Sequence, residues 1–181
     1  GGNMTLNSFT GTFTLNGITL AGQSTIAATG IINLNGSPLG DGASLTIGSN
    51  AVLNIQTGTT FAGVVTNLGT VNWLAGNVNV NTNAPASTGT IWNQAGALFD
   101  IQCDQVVVNG IFPATVHNAG LVRKRTTAGI TTFNTFFDNS GSVQVQTGTI
   151  NYSGGATLGG SFQADSGKAI NFTSGTFTLS S

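Results

Sequence analysis

Two stretches of the chain repeat one pattern and decide its fold: NSGSVQVQTGTINY, residues 139–152, and NLGTVNWLAGNVNV, residues 67–80. Aligned without a gap from their first residues, they share Asn, Gly, Val, Gly and Asn. Apolar residues also fall at the same four positions: Val71, Trp73, Val78 and Val80 in one, and Val143, Val145, Ile150 and Tyr152 in the other. Because most of these residues alternate with polar ones, each copy predicts short β-strands with one buried face.

Three shorter matches extend the pattern along the chain, each at a spacing of about 20 residues, which is the length of a short structural repeat. They are GSVQVQTG from Gly141 with GSFQADSG from Gly160, HNAGLV from His117 with DNSGSV from Asp138, and GTVNWLAGNV from Gly69 with GTIWNQAGAL from Gly89. A recurrence of this kind indicates structural units that stack on one another.

Two all-β architectures fit short strands with frequent turns. In a parallel β-helix, or β-solenoid, each unit is one coil, and equivalent positions stack about 4.8 Å apart. In a β-sandwich, consecutive strands pair antiparallel through hairpins. The recurrence in register favours the β-helix, because only stacked coils give one position the same surroundings at every turn. We therefore expect a parallel β-helix of about eight or nine coils, with the β-sandwich as the alternative. A right-handed winding is expected, because the unit exceeds the roughly 18 residues of three hexapeptide turns.

The ends of the chain bear on its domain organisation. Terminal coils of a solenoid expose strand edges and need caps. No capping helix or charged edge is evident at either end of the sequence. Residues 1–181 are therefore expected to form a single β-solenoid domain that is an excerpt of a longer repeat array, or one whose copies stack end to end.

The composition excludes several classes of function. Charged residues make up 5% of the chain, against about 25% in an average domain. The net charge of -1 offers no field for nucleic acid or an anionic membrane. No apolar run reaches membrane-helix length, and the single Cys103 excludes a multi-cysteine metal site. We therefore predict no nucleic-acid partner, no membrane insertion and no cofactor. Stacking also explains the scarcity of charge, because repeated like charges would repel, whereas stacked Asn can form hydrogen-bonded ladders.

Candidate binding residues cluster in two short segments, DIQCD (residues 100–104) and RKR (residues 123–125), which together hold two of the five Asp and three of the four cations. Strand alternation places Asp100 and Asp104 outward, and the matched repeat places Arg123 and Arg125 outward. Arg125 follows Asp104 by one repeat unit, which corresponds to one coil. The pattern predicts an ion pair across coils on an exposed face, with a polar patch for a sugar or another protein as the alternative.

Several single residues carry further predictions. Trp92 aligns with Asn72, an outward position, and would offer its ring to a sugar or pack beneath a loop. Cys103 is predicted to point inward, and His117 to be a solvated corner residue. Lys124 falls at a valine position of the matched repeat, which indicates that the strand has ended and a corner has begun. Four phenylalanines are predicted to lie in the core: Phe13, Phe162, Phe172 and Phe177.

Enzymatic and ice-binding functions are minor alternatives. Asp100 and Asp104 would lie about 13 Å apart along a strand, whereas glycosidase carboxylates lie about 5 to 9.5 Å apart. The chain also has no Glu to build an acidic calcium site for a polysaccharide-degrading enzyme. An ice-binding face needs Thr-x-Thr in coil after coil, but Asn72, Gln144 and Gln163 interrupt that array.

The C-terminal part of the chain carries a family resemblance. NAGLVRKRTTAGITTF (118–133) and the segment from NSGSVQVQ to GTFTL (139–179) resemble the Gly/Thr/Asn-rich β-solenoid repeats of very large bacterial surface and secreted proteins. These are the adhesin, autotransporter-passenger and haemagglutinin-like kinds, and the likeness extends from about residue 65 to the end. It implies a bacterial extracellular or cell-surface location and no catalytic residues.

Together these features lead us to expect a non-enzymatic extracellular structural segment: a stalk, a spacer, or an adhesive or fibre-forming surface protein. The expected partners are copies of itself stacked end to end, or glycans. A carbohydrate-binding β-helix module is the main alternative, and its candidate ligand residues are Trp92, Asp100, Asp104, Arg123 and Arg125.

Overall fold

The computed structural model describes residues 11–26, 30–80 and 89–180, and within these ranges the chain forms 22 short strands and no helix. The strands belong to three sheets, which the chain visits in turn before it begins the next coil. Every strand pairing in the described ranges is parallel, and the two isolated bridges are parallel as well. The β-sandwich alternative is therefore wrong, and the parallel β-solenoid is confirmed.

The strands divide among the sheets as follows. The first sheet contains β1 (Thr12–Asn16), β3 (Ile31–Asn35), β5 (Val52–Ile55), β8 (Thr70–Trp73), β11 (Leu98–Ile101), β14 (Leu121–Lys124), β17 (Ser142–Val145) and β20 (Ser161–Ala164). The second sheet contains β6 (Thr59–Phe61), β9 (Val78–Val80), β12 (Val106–Asn109), β15 (Ile130–Phe133), β18 (Thr149–Tyr152) and β21 (Ala169–Phe172). The third sheet contains β2 (Gln23–Ile26), β4 (Ser44–Ile47), β7 (Val64–Asn67), β10 (Thr90–Asn93), β13 (Thr115–Asn118), β16 (Phe136–Asn139), β19 (Ala156–Leu158) and β22 (Phe177–Leu179).

The number of coils is close to the predicted eight or nine. Eight strands in the first sheet correspond to about seven turns between the first strand and the last. At the usual spacing of adjacent strands the stack is roughly 35 Å long. The handedness of the winding stays a prediction.

The strand register confirms most of the sequence matches. Val71 and Val143, the pair that anchors the opening alignment, lie in one inward-facing column of the first sheet. The match of Gly141 with Gly160 is realised in the pairing of β17 with β20, and β13 pairs with β16 as the His117 match predicts.

Two parts of the alignment are wrong. The match of Gly69 with Gly89 equates β8 with β10, which lie in different sheets. In the second sheet, Val78 shares its column with Tyr152 rather than with Ile150, because β12 pairs Val107 with both Val78 and Phe133. This displacement preserves the inward face, because it shifts the strand by one full period of side-chain alternation.

The core is one continuous column of apolar side chains that runs through the centre of the stack. Trp73, Phe61, Phe133, Phe137 and Tyr152 are its largest fully buried apolar members. In the C-terminal coils the aromatic rings contact one another from coil to coil, as in the stacking of Phe133 on Tyr152 with centroids 5.2 Å apart. Continuous burial of this kind is possible because each coil covers the apolar face of the one before it.

A buried ladder of asparagines links the third sheet to the first. Each asparagine ends a strand and points inward, and three of the four donate through Nδ2 to the Oδ1 of the asparagine one coil further on: Asn67 to Asn93 (2.8 Å), Asn93 to Asn118 (2.7 Å) and Asn118 to Asn139 (2.7 Å). All four side chains are at most 1% exposed. The same Nδ2 atoms donate to backbone carbonyls that follow the corner, including Leu98 O at 2.9 Å. The predicted asparagine ladders are thus confirmed. This ladder also supplies hydrogen-bond donors to backbone carbonyls at the corner, which apolar side chains would leave unpaired.

Glycine recurs shortly after these asparagines for a steric reason. A Cβ atom at Gly141 would collide with the backbone oxygen of Gly120, one coil earlier, and one at Gly160 would collide with that of Gly141. The backbone therefore passes too close to its neighbour for any side chain.

A second ladder lies on the outer face of the first sheet. Asn54 Nδ2 donates to Asn33 Oδ1, and Asn72 Nδ2 donates to Asn54 Oδ1, each at 2.8 Å. The same column continues through Asp100 and Arg123 to Gln144. Uncharged amides therefore flank the charged positions in this column.

The last coil is the least covered part of the described chain. Phe13, Phe162 and Phe177 are partly buried against the core, as predicted, but Phe172 is 40% exposed although it stacks on Tyr152. Leu179 is 81% exposed. The outer edges of β20, β21 and β22 have no strand partner among the described residues.

Candidate functional site

The charged cluster on the first sheet is centred on Asp100. Phe99 and Ile101 point into the core, so Asp100 projects from the outer face of β11, where it stacks against Arg123 of β14. Its carboxylate accepts hydrogen bonds from Arg123 Nε at 2.9 Å, from Arg125 Nε at 2.8 and 3.0 Å, and from Gln102 Nε2 at 2.8 Å. These side chains cover Asp100 so completely that it is 0% exposed.

The predicted ion pair is wrong in its partners. Arg125 pairs with Asp100 and not with Asp104, whose partner is Lys124 at 2.6 Å. Asp100 faces outward as predicted but lies beneath two arginines rather than in solvent. A buried carboxylate needs such compensation, because an unpaired charge away from water is strongly unfavourable.

Lys124 is the residue that sequence reasoning placed least well. The strand does not end before it: Lys124 closes β14, pairs in register with Val145 and points inward with 0% exposure. Its Nζ lies within hydrogen-bond distance of four acceptors, which share its three N–H donors: Cys103 O (3.0 Å), Asp104 Oδ1 (2.6 Å), Thr127 Oγ1 (3.0 Å) and Thr131 Oγ1 (3.1 Å). The ammonium group thus ties the end of β14 to the preceding coil at Cys103 and Asp104, to the turn before β15 at Thr127, and to β15 itself at Thr131.

Two titratable groups respond to this lysine. Partial burial raises the pKa of Asp104, but hydrogen bonds from Lys124 and Thr127 outweigh that effect, so the net pKa is below its ordinary value of 3.8. Burial raises the pKa of the Cys103 thiol to about 12, although the positive charge of Lys124 opposes the rise. Cys103 lies in the core as predicted, and such a thiol is a poor nucleophile because its thiolate is scarce at neutral pH.

A different cluster lies on the outer face of the third sheet. Trp92, His117 and Asp138 occupy one outward column on β10, β13 and β16. The indole and imidazole rings are stacked with centroids 3.7 Å apart and planes 6° from parallel. His117 Nδ1 lies 2.9 Å from Asp138 Oδ2. The carboxylate therefore fixes the imidazole, and the imidazole supports the indole.

The outcome for these residues is mixed. Trp92 points outward as predicted and is 39% exposed. Its neighbours in the column are Thr66 and His117 of the third sheet, whereas Asn72, with which the sequence match aligned it, lies in the first sheet. His117 is not a corner residue, because it lies within β13. The match of HNAGLV with DNSGSV had already aligned His117 with Asp138, and that was the signal from which this pair could have been found.

The predicted ligand residues do not form one site. Trp92 belongs to the third sheet, whereas Asp100 and Arg123 belong to the first. Asp104 follows β11 and turns toward Lys124. The structure therefore presents two separate surfaces, which we name the arginine cluster (Asp100, Arg123 and Arg125) and the tryptophan column (Trp92, His117 and Asp138).

The remaining chemical features are few. Within the described ranges, no group of three or more His, Cys, Asp or Glu side chains is placed to hold a metal ion. The same part of the chain contains no helix with the length and apolar character needed to cross a bilayer.

Comparisons of the chain with protein-family models, with curated proteins and with solved structures gave no significant match.

Proposed function

We propose that this chain is a non-enzymatic structural segment of a bacterial extracellular or surface protein, serving as a stiff spacer or adhesive stalk. The observation that carries the proposal is the unbroken stacking of three parallel sheets around one core. Each coil is bonded to the next along every sheet, so bending the stack would strain many hydrogen bonds together. This is the mechanical property that a spacer needs.

The surface and sequence of the chain support the same proposal. The outer face of the first sheet is lined by an amide ladder, and only 5% of all residues are charged. The resemblance to repeats of large bacterial surface proteins favours an extracellular setting. Neutral amides and hydroxyls can be repeated from coil to coil without the repulsion that stacked like charges would cause.

Immunogold labelling of intact source cells tests the location. Antibodies raised against the purified domain should label unpermeabilised cells, with gold particles displaced from the envelope. Labelling that requires permeabilisation would contradict an extracellular role. Small-angle scattering of the purified domain tests the rod separately, since an elongated particle with a single sharp cross-section is expected.

End-to-end association of copies is part of this proposal. The exposed Phe172 and Leu179 and the unpaired outer edges of the last described coil would be covered by a further layer of β-structure. Sedimentation velocity over a wide concentration range should reveal association that Phe172→Ser weakens. A strictly monomeric protein at high concentration would contradict it.

Carbohydrate binding is a second candidate function, favoured by the tryptophan column. The neighbour of Trp92 on the side away from His117 is Thr66, whose side chain is much smaller than an indole. Aromatic faces bounded by hydrogen-bonding groups are suited to sugar rings. Binding on a glycan array should be lost in Trp92→Ala and kept in Ile130→Ala, a control that also removes an exposed apolar side chain. Equal binding by both variants, or none by the parent, would contradict this function.

A further inference from the structure

The arginine cluster holds more positive charge than its buried carboxylate requires. Arg123 and Arg125 both donate through Nε to Asp100 Oδ1, at 2.9 and 3.0 Å. One arginine would suffice to neutralise Asp100, so the pair leaves one unit of positive charge at this place. Lys124 and Asp104 balance each other nearby, and the neighbouring outward positions in the column are the uncharged Asn72 and Gln144.

The free donors of the two arginines point to a ligand. A guanidinium has five N–H groups, one on Nε and four on the terminal nitrogens. Among the described residues, Asp100 takes only the Nε donors, and no acceptor bonds to the Nη atoms of either arginine. The side chain of Arg125 is 46% exposed and that of Arg123 is 25% exposed. Both guanidiniums thus keep Nη donors without a partner in the described part of the chain, on side chains that solvent reaches.

Asp100 makes this pair a prepared site rather than two mobile side chains. The carboxylate is 0% exposed and holds both guanidiniums through the same oxygen, so their Nε atoms are separated by no more than the sum of the two bonds. Fixing both arginines in advance removes much of the entropy that long side chains lose on binding a ligand. Paired guanidiniums match the planar, two-oxygen geometry of a carboxylate, and they also bind sulfate and phosphate oxygens.

We propose that Arg123 and Arg125, held by Asp100, bind the oxyanion groups of an acidic polysaccharide, either the carboxylate of a uronic acid or a sulfate ester. Gln144 and Gln163, the next outward residues of the column, supply amide groups that can bond to the hydroxyls of adjoining sugars. Binding at these residues needs only the first sheet and its register. It does not depend on a spacer role or on sugar binding by the tryptophan column, which lies on another sheet.

Surface plasmon resonance on immobilised polygalacturonate, dextran sulfate and plain dextran tests the proposal. We expect binding to at least one acidic polymer and none to dextran, with affinity that falls between about 20 and about 200 mM NaCl as ionic contacts are screened. Arg123→Gln and Arg125→Gln should each weaken binding about tenfold, as expected for loss of a charge-assisted contact. Binding to polygalacturonate identifies a carboxylate ligand, and binding to dextran sulfate alone identifies a sulfate ligand.

Lys168→Gln is the matched control, because it removes the same unit charge from outside the cluster. It should bind as the parent does. Absence of binding to both acidic polymers, or an equal loss in Lys168→Gln, would overturn the proposal. Should an arginine variant fail to fold, the Nε–H signals of Arg123 and Arg125 in a ¹⁵N correlation spectrum of the parent give an independent test. They should shift on addition of the bound acidic oligosaccharide, and unchanged signals at saturation would also overturn the assignment.

Discussion

Replacing Asn118 by alanine should reveal how much the buried asparagine ladder contributes to stability. The side chain is 1% exposed. It donates to Asn139 Oδ1 at 2.7 Å and to Ser142 O at 3.2 Å, and it accepts from Asn93 Nδ2 at 2.7 Å. After the change, Asn93 Nδ2 keeps Leu121 O as an acceptor, whereas Asn139 Oδ1 loses the donor it has in the described chain.

The expected cost follows from these contacts. An orphaned buried acceptor costs about 1 to 3 kcal/mol, and each lost hydrogen bond costs about 1 kcal/mol net. Asn118→Ala should therefore lower the free energy of unfolding by about 3 kcal/mol. Asn54→Ala is the matched control, because Asn54 also donates to one asparagine and accepts from another. Since its position is only half-buried, water can replace the lost partners, and we expect a loss of about 1 kcal/mol.

Urea unfolding followed by far-UV circular dichroism and by tryptophan fluorescence, to which the buried Trp73 and the partly exposed Trp92 both contribute, measures both variants. The comparison is valid where the two probes coincide and the slope with urea is unchanged. Equal losses in the two variants would refute the reasoning, because burial would then make no difference to an asparagine ladder. A loss below about 1 kcal/mol for Asn118→Ala would refute it as well.

Three further predictions concern polar groups in or beside the core. Tyr152→Phe removes a buried hydroxyl that has no hydrogen-bond partner among the described residues, so it should raise stability by about 1 kcal/mol in urea unfolding; a loss would imply an unrecognised partner. Lys124→Met should lower stability by about 2 to 3 kcal/mol in urea unfolding, because it removes one partner of an ion pair and the ammonium donor that Cys103 O and Thr131 contact in the buried interior. Lys124→Ala should cost more because it also leaves a cavity, and a Lys124→Met variant as stable as the parent would contradict this. The lowered pKa of Asp104 means that its stabilising contribution is present above the unfolded pKa and is lost as pH falls through the folded pKa. Asp104→Asn should therefore lose less stability than the parent between about pH 5 and pH 2, and parallel acid-unfolding curves would contradict this.

The sequence predicted the register well where the coils have similar lengths. From β14 to β20 the coils are nearly equal, since Leu121 pairs with Ser142 and Ser142 pairs with Ser161, so a self-match without gaps finds the true neighbours. The step from Thr70 to its partner Leu98 is the longest in the first sheet. A self-match at a spacing of about 20 residues stops short of the end of this longer coil. It therefore aligns β8 with β10, a strand of a different sheet, which gives the false match of Gly69 with Gly89. The outward position predicted for Trp92 is nevertheless correct, because aligning β10 with the wrong strand preserved the alternation of inward and outward residues within it.

Alternation could not predict what covers a side chain. It placed Asp100 on the outer face, but burial there depends on Arg123 and Arg125 folding back over it, and the order of residues along one strand contains no such information. For Lys124 the sequence match with Val145 indicated the correct inward position. The charge of the side chain argued against burial and led to the wrong prediction that the strand ends before Lys124. Acceptors at Cys103, Asp104 and Thr131 make it tolerable, and they come together only in the folded stack.

The departures from the repeat are concentrated at one level of the rod. Most of the Asp, Lys, Arg and His residues lie between Asp100 and Asp138, and this segment builds both the arginine cluster and most of the tryptophan column. The coils on either side carry mainly Thr, Asn and Gln at the equivalent outward positions, as in the columns through Thr66 and Gln144. Uncharged side chains thus fill the equivalent outward positions in the neighbouring coils. We therefore expect Arg123 and Arg125 variants to alter recognition of the proposed acidic polysaccharide, while the uncharged coils on either side maintain the rod.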